Sequence, residues 1–336
     1  MHRSAGRTRV AVIFGGRSAE HDISCGSAAS VLRFLDRGRY EVLPIRIARD
    51  GVWQIGTDTG TSAVFPAGST SPLTSMIAAL GALRTADVAF PVLHGPFGED
   101  GTVQGLLETA GIRYVGSGVL ASATGMDKQF TKTIVAAEGV AVAPGVVLRD
   151  GDDDVTDPDR ERLGLPVFVK PARGGSSVGV SRVDDWADLE QALVLARKHD
   201  TKVLVEAAVD GREVDLAVLQ RTDGTLDVGP ALEIRHGASF FDFDAKYTPG
   251  AAEFVIPADL DQVQRGQLED AARRVFTALG CAGLLRADFF LTAGGVVLNE
   301  VNTLPGLTEL SQFPRIWRAA GMPYPELLDH LLSTAR

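Results

Sequence analysis

The sequence predicts a chain that is α/β in its first third and α+β thereafter, folded as three lobes, the first built on a doubly wound parallel sheet. Three observations predict this. The 336 residues exceed what one core usually serves. From Thr8 to about Val119, apolar strands alternate with helix-like stretches, the pattern of a parallel sheet covered on both faces. From about Leu120 the order becomes helix, strand, strand, helix, strand, and from Asp210 further strands lead to closing helices. The expected lobes are residues 1–120, 121–209 and 210–336.

Each element has a local reason. RVAVIFGG is a continuous apolar run ending in glycines, as a strand buried on both faces does. Ile23 to Leu35 reads as a helix, with Ser24 or Asp22 as its cap. YEVLPIRIA and ADVAFPVLHG are strands, and GTVQGLLETAG sets Val103, Leu106 and Leu107 on one helical face before stopping at Gly111. Ligands of such a sheet sit beyond the carboxyl ends of its strands, where Glu20, His21 and His94 fall. Asp127 to Glu138 is helical, and Val140 to Leu163 holds an acidic, turn-rich stretch. LPVFVK is a strand, ARGGSSVG a loop, VSRV a strand, WADLEQALVLARK an amphipathic helix and KVLVEAAV a strand.

Composition narrows the function. Hydrophobic residues make up 45% and charged residues 23%, an ordinary globular balance. No apolar run approaches the roughly 20 residues that span a bilayer. The basic start followed by an apolar run resembles a signal peptide, but that run ends at Gly15-Gly16, short of a secretory core of about 7–15 residues. Cys25 and Cys281 lie far apart and suggest neither a disulfide framework nor a metal pair, which fits a reducing cytoplasm. A net charge of −10 argues against a nucleic-acid surface. An anionic ligand would need its own local cations.

Two motifs supply such a site. In KPARGGSSVG, Lys170 to Gly179, three glycines let backbone N–H groups approach phosphate oxygens. The lysine precedes the glycines and a strand follows, so this is not a Walker loop. In RADFFLTAGGVVLNEVN, two apolar strands flank a turn and form a hairpin. Arg286 and Asp288 share one face of the first strand, and Glu300 and Asn302 one face of the second. If opposed residue numbers sum to an even value, all four meet on one face. Two carboxylates and an amide oxygen are hard ligands suited to Mg²⁺ held together with phosphates. The alternative reading, a solvated polar face, is less specific than a metal set beside an arginine. Lys128, Lys170 and Lys246 each lie beside apolar or glycine-rich segments, although a lone lysine is ordinarily a solvated one.

The order of FGGRSAEHDIS, HGPFGEDGTVQG, GSGVLASATGMDK, VKPARGGSSVG, DAKY and NEVNTLPG resembles that of bacterial D-alanine–D-alanine ligases, over about Arg9 to Leu332. The resemblance implies an ATP-grasp fold with ATP between the central and C-terminal lobes. It implies that the carboxylate of one D-alanine attacks the γ-phosphate and that the amine of a second attacks the resulting acyl phosphate. It further implies cytoplasmic peptidoglycan precursor synthesis, two Mg²⁺ ions (replaceable by Mn²⁺), no nucleic-acid or membrane partner, and a homodimer formed through the N-terminal lobe.

Carried over by position, Lys128, Lys170 and Lys246 contact ATP phosphates together with Ser177. Glu206, Ala207, Ala208 and Val209 meet the adenine, and Glu213 the ribose. Asp288, Glu300 and Asn302 hold the metal ions. Glu20 anchors the ammonium of the first D-alanine, Arg286 and the N–H of Gly306 stabilise the oxyanion, and Ser176, Tyr247 and Glu20 form a closing network. Ser311 binds the second carboxylate, with His94 and Gln312 nearby, and 240–254 forms the lid. One stretch departs from many relatives: LTELSQFP places Leu307, Glu309, Gln312 and Phe313 around the second-substrate pocket. D-serine, D-lactate or another amino acid is therefore the alternative second substrate, although Lys246-Tyr247 follows the dipeptide-forming pattern.

Overall fold

The structure, a computed structural model, describes residues 6–66, 70–152, 154–236 and 252–336. The first sheet is formed by β1 (Thr8–Gly15), β2 (Tyr40–Ile47), β3 (Trp53–Ile55) and β6 (Val88–Leu93), in the order β3-β2-β1-β6. A small ribbon of β4 (Thr57–Asp58) and β5 (Ala63–Val64) lies beside it. β1 runs parallel to both β2 and β6, and only β3 is antiparallel. Side chains alternate across the sheet, so both faces of β1 need cover. Val10, Val12 and Phe14 pack with Ala28, Val31 and Leu32 of α1 (His21–Phe34). Ala11 and Ile13 pack instead with Ala79 and Leu83 of α2 (Pro72–Leu83) and Val103 and Leu107 of α3 (Thr102–Thr109). The sheet is doubly wound, as expected.

Two expectations need correction here. Neither Ser24 nor Asp22 caps α1. Ser24 Oγ accepts the Gly15 N–H at 2.7 Å and donates to Val92 O at 2.5 Å, tying β1 to β6 at their carboxyl ends. Asp22 pairs with Arg49 at 2.7 Å on the surface. The helix α2, started by Ser71 accepting the Thr74 N–H, is absent from the sequence reading.

The second sheet follows α4 (Val119–Met126) and α5 (Lys128–Ala137). After β7 (Ala141–Val142) come β8 (Gly145–Leu148), α6 (Asp157–Leu163), β9 (Val167–Pro171), β10 (Ser181–Val183), α7 (Leu189–Arg197) and β11 (Val203–Ala207). Its order is β10-β9-β11-β8, antiparallel throughout. Leu189, Ala192, Leu193 and Ala196 of α7 bury the inner valines of β9 and β11. The stretch 140–163, read as turn-rich, thus contributes two strands and a helix.

The third sheet holds β12 (Arg212–Gln220), β13 (Leu226–Val228), β14 (Leu232–His236), β15 (Ala252–Val255), β16 (Leu284–Thr292) and β17 (Gly295–Asn302). β7 adds to its edge through β17, so the chain linking the first two sheets is also stitched to the third. α8 (Gln262–Ala278), opened by an Asp261–Gln264 capping box, covers one face. After α9 (Gln312–Ala319), the last helix α10 (Tyr324–Ser333) crosses back: Leu327, Leu328 and Leu331 share a core with Val10 and Val31. Tyr114 and Arg336 exchange backbone hydrogen bonds at 3.1 and 3.0 Å. That core fixes the first sheet against the third.

Candidate active site

A cleft of about 1580 Å³ opens where the second and third sheets face each other below the loops of the first. The expected nucleotide, metal and first-substrate residues that lie within the described residues line it, as do His94, Gly306, Ser311 and Gln312. Lys246 and Tyr247 lie outside the described residues, as does nearly all of the expected lid.

One wall is cationic. Lys170, at the end of β9, is 7% exposed, and its Nζ lies 2.7 Å from Glu206 on the neighbouring β11. Lys132 reaches the same carboxylate at 2.6 Å. It sits one helical turn beyond Lys128, so the two lysines share a face of α5. The sequence reading missed Lys132, although the spacing in DKQFTK was the available signal. Burial alone would raise the Glu206 carboxyl, but Lys170 and Lys132 outweigh it and hold it down at about 2. Burial, then the charge of Lys170, lowers Lys132 to about 8. A buried cation pair sharing one carboxylate retains positive charge for an anionic ligand.

The glycine loop crosses the cleft above. Ser176 and Ser177 have φ of 54° and 58°, left-handed backbone that non-glycine residues seldom adopt. The loop is held at two points near its middle. Ser176 Oγ donates to Glu20 Oε1 at 2.6 Å, and Lys128 Nζ donates to Gly174 O at 2.7 Å.

The opposite wall is the β16–β17 hairpin. Arg286 pairs with Asn302 and Asp288 with Glu300, the even-sum register, so all four side chains share one face. A bulge after Asp288 shifts the register to Phe289–Leu298, confining the polar face to the end of the hairpin nearest the cleft. Arg286 grips Asp288 through two bonds of 2.7 and 2.8 Å, Asn302 Nδ2 donates to Asp288 Oδ2 at 3.2 Å, and Lys128 lies 3.4 Å from Glu300. Burial alone would lower the Arg286 pKa; Asp288, followed by Asp215, pushes it above the ordinary value instead. Asp215 stands opposite Asp288 on β12, 3.7 Å from Arg286, and was also missed; its place two residues after Glu213, on the same face of REVDLAVLQ, was its signal.

No trio of His, Cys, Asp or Glu with metal-holding geometry occurs among the described residues. Two facing carboxylates and an amide do fit a hard cation that takes its remaining ligands from phosphate oxygens and water.

At the cleft's inner end, His94 is 6% exposed and both ring nitrogens are engaged: Nδ1 with Leu304 O at 3.1 Å and Nε2 with Ser27 Oγ at 3.2 Å. Ser27 Oγ also accepts the Leu307 N–H at 3.2 Å. Burial lowers His94 to about 4, so it is neutral at pH 7 and pins the 304–307 turn. Past that turn, Ser311 Oγ accepts the Thr308 N–H at 3.1 Å, and a Cβ on Gly306 would meet it at the same distance. The pocket expected around LTELSQFP is corrected here. Leu307 and Phe313 are 1% and 0% exposed in the core under the turn, and Glu309 does not line the cleft; Thr308, Leu310, Ser311, Gln312 and Arg315 do. Leu307 and Phe313 join the core shared with Ile316 and Trp317, whereas Leu310 is exposed at the cleft.

Models of the D-ala D-ala ligase N-terminus and C-terminus match residues 9–117 and 134–333. The chain is 51% identical to a D-alanine–D-alanine ligase of Nocardia farcinica, covering 98% of this chain and 97% of that one. It is 51% identical to one of Mycolicibacterium smegmatis, covering 98% and 96%. Among solved structures, the VanG D-Ala:D-Ser ligase from Enterococcus faecalis superposes with a TM-score of 0.82 at 33% identity, over 98% and 99% of the chains. The D-alanine–D-alanine ligase from Bacillus anthracis complexed with ATP gives 0.79 at 30%, over 97% of each.

Proposed function

The chain belongs to the D-alanine–D-alanine ligase family, and from that premise we propose how its cleft joins two D-alanines at the expense of ATP. The observation that carries the reading is that Lys128, Lys170, Arg286 and Glu300, scattered over 173 positions of sequence, line one cleft between two sheets.

ATP lies between the second and third sheets, with its adenine against Glu206 to Val209, its ribose at Glu213, and its phosphates at Lys128, Lys170 and Ser177 beneath the glycine loop. Lys246 joins them. Asp288, Glu300 and Asn302 would hold two Mg²⁺ ions, or Mn²⁺ in their place, which would supply neutralisation of phosphate charge. Glu20 receives the ammonium of the first D-alanine, whose carboxylate oxygen attacks the γ-phosphate as the bond to ADP breaks. The second D-alanine, its ammonium having lost a proton to solvent, attacks the acyl-phosphate carbon as an amine; the C–O bond to phosphate breaks, phosphate departs, and the nitrogen gives its remaining extra proton to solvent. Fixed positive charge serves both steps, because charge develops on phosphoryl and carbonyl oxygens alike. Arg286 and the Gly306 N–H face the carbonyl oxygen, Ser311 and Gln312 the second carboxylate, while His94 shapes the turn that presents them. Ser176 and Tyr247 act with Glu20 on the first amino acid, and the acyl phosphate has to be kept from water.

The lobes run 1–120, 121–209 and 210–336, two chains pair through the first, and the enzyme works in the cytoplasm in peptidoglycan precursor synthesis. No helix among the described residues is long and apolar enough to cross a membrane. The test is to incubate the chain with ATP, Mg²⁺ and D-alanine, alone and against D-serine and D-lactate. Dipeptide and equimolar phosphate are expected. No product at saturating D-alanine would refute the reading, and preference for another acceptor would move it to a relative with a different second substrate.

A further inference from the structure

Glu99 has no role in the steps above, yet it lines the same cleft. Its Oε1 accepts the Gly95 N–H at 2.8 Å, and among the described residues no lysine or arginine pairs with it. Glu20 stands on the other side of the same glycine. Gly95 has φ +72°, and a Cβ there would come within 2.6 Å of Glu20 Oε2. A single glycine thus separates two carboxyl groups in one wall.

The charged groups facing the pair are few. Arg286 is committed to Asp288, Lys128 to Glu300 and Gly174, and His94 is neutral. Two carboxylates that share a site resist being ionised together. Burial, followed by the charge of Glu20, raises Glu99 to about 8.

We propose that Glu99 is a positioning residue for the first amino acid: it is protonated in the empty cleft and ionises, losing that proton to solvent, when an ammonium group seats against Glu20. The balance is one carboxyl O–H broken and one proton passed to buffer, with no other bond changed. The empty site thereby avoids two adjacent negative charges, and the occupied one surrounds its cation with two carboxylates. The proposal rests on the assignment of Glu20 to the ammonium.

The experiment is calorimetric titration of D-alanine into the full chain with Mg²⁺ and a non-hydrolysable ATP analogue, in buffers of different ionisation enthalpy, from pH 6.5 to 9. Close to one proton should be released per D-alanine bound at pH 7, declining towards zero as pH rises through about 8. Glu99→Gln should bind with release reduced several-fold at pH 7. Binding without proton release by the unaltered chain, or undiminished release from the variant, would overturn the proposal. If the variant does not fold, the unaltered chain's profile decides, and a midpoint far from pH 8 would count against Glu99. If D-alanine fails to bind at all, the fault lies with the assignment of Glu20 and both readings fall.

Discussion

Glu206 shows how a single side chain can be legible in type and not in role. The family resemblance implies an adenine contact for it, but the sequence does not reveal that it compensates two buried lysines. Removing that compensation leaves like charges facing each other in a wall that water barely reaches, which costs about 3–5 kcal/mol for a buried pair. Glu206→Gln should lower stability by an amount of that order in urea unfolding at pH 7. The sign with pH follows from its depressed pKa. Stability from Glu206 is fully present above about 4.5 and is lost as pH falls towards about 2, so the variant should show a flatter acid limb between those values. Equal acid limbs would mean the pair contributes nothing. Arg286 has its proposed role in the reaction instead. Arg286→Ala should cut kcat on the order of 10²-fold or more, as loss of an oxyanion donor does; near-normal turnover would displace it from that role. Lys132 and Asp215 were harder to see because each sits within a regular element, and Glu99 because a carboxylate in a glycine-rich turn reads as a solvated one.

The hairpin of β16 and β17 was the most legible element, because period-two alternation put Arg286 with Asp288 and Glu300 with Asn302 and left only the register between the strands open. Its bulge was not legible, since nothing in FFLTAGGVV marks where the register shifts. Asp288→Ala or Glu300→Ala should abolish turnover while the circular dichroism spectrum and melting temperature stay near those of the unaltered chain, for the apolar face beneath is untouched. Collapse of the fold instead would show that these carboxylates are structural. α1 gives the opposite lesson: a serine near a helix start suggests a cap, yet Ser24 bridges two strands. Ser24→Ala leaves the Gly15 N–H and the Val92 carbonyl without that partner, at about 1–3 kcal/mol for a buried unmet group. A fall in melting temperature with unchanged kcat is expected, and a loss of kcat alone would place Ser24 in the chemistry.

At the scale of the whole molecule, the first sheet and the third share a core with α10, whereas the second sheet has its own and faces the third across the cleft. Composition and length foretold several lobes, but the return of the chain end to β1 could not be read, because an apolar helical face does not name the surface it covers. In the proposed placement, ATP bridges two separately packed bodies. A ligand that binds only the folded state stabilises it by about 2.7 kcal/mol at a hundred times its Kd. ATP with Mg²⁺ should therefore raise the melting temperature by several degrees, and D-alanine alone should raise it less. Lys170→Ala removes a cation from the shared wall without touching either main core, so it should erase most of the ATP-dependent shift and leave the ligand-free transition close to that of the unaltered chain. Differential scanning calorimetry distinguishes the outcomes. A full ATP shift in the variant would mean that the triphosphate does not lie against the cationic wall, and the placement of the nucleotide between the two sheets would have to be abandoned.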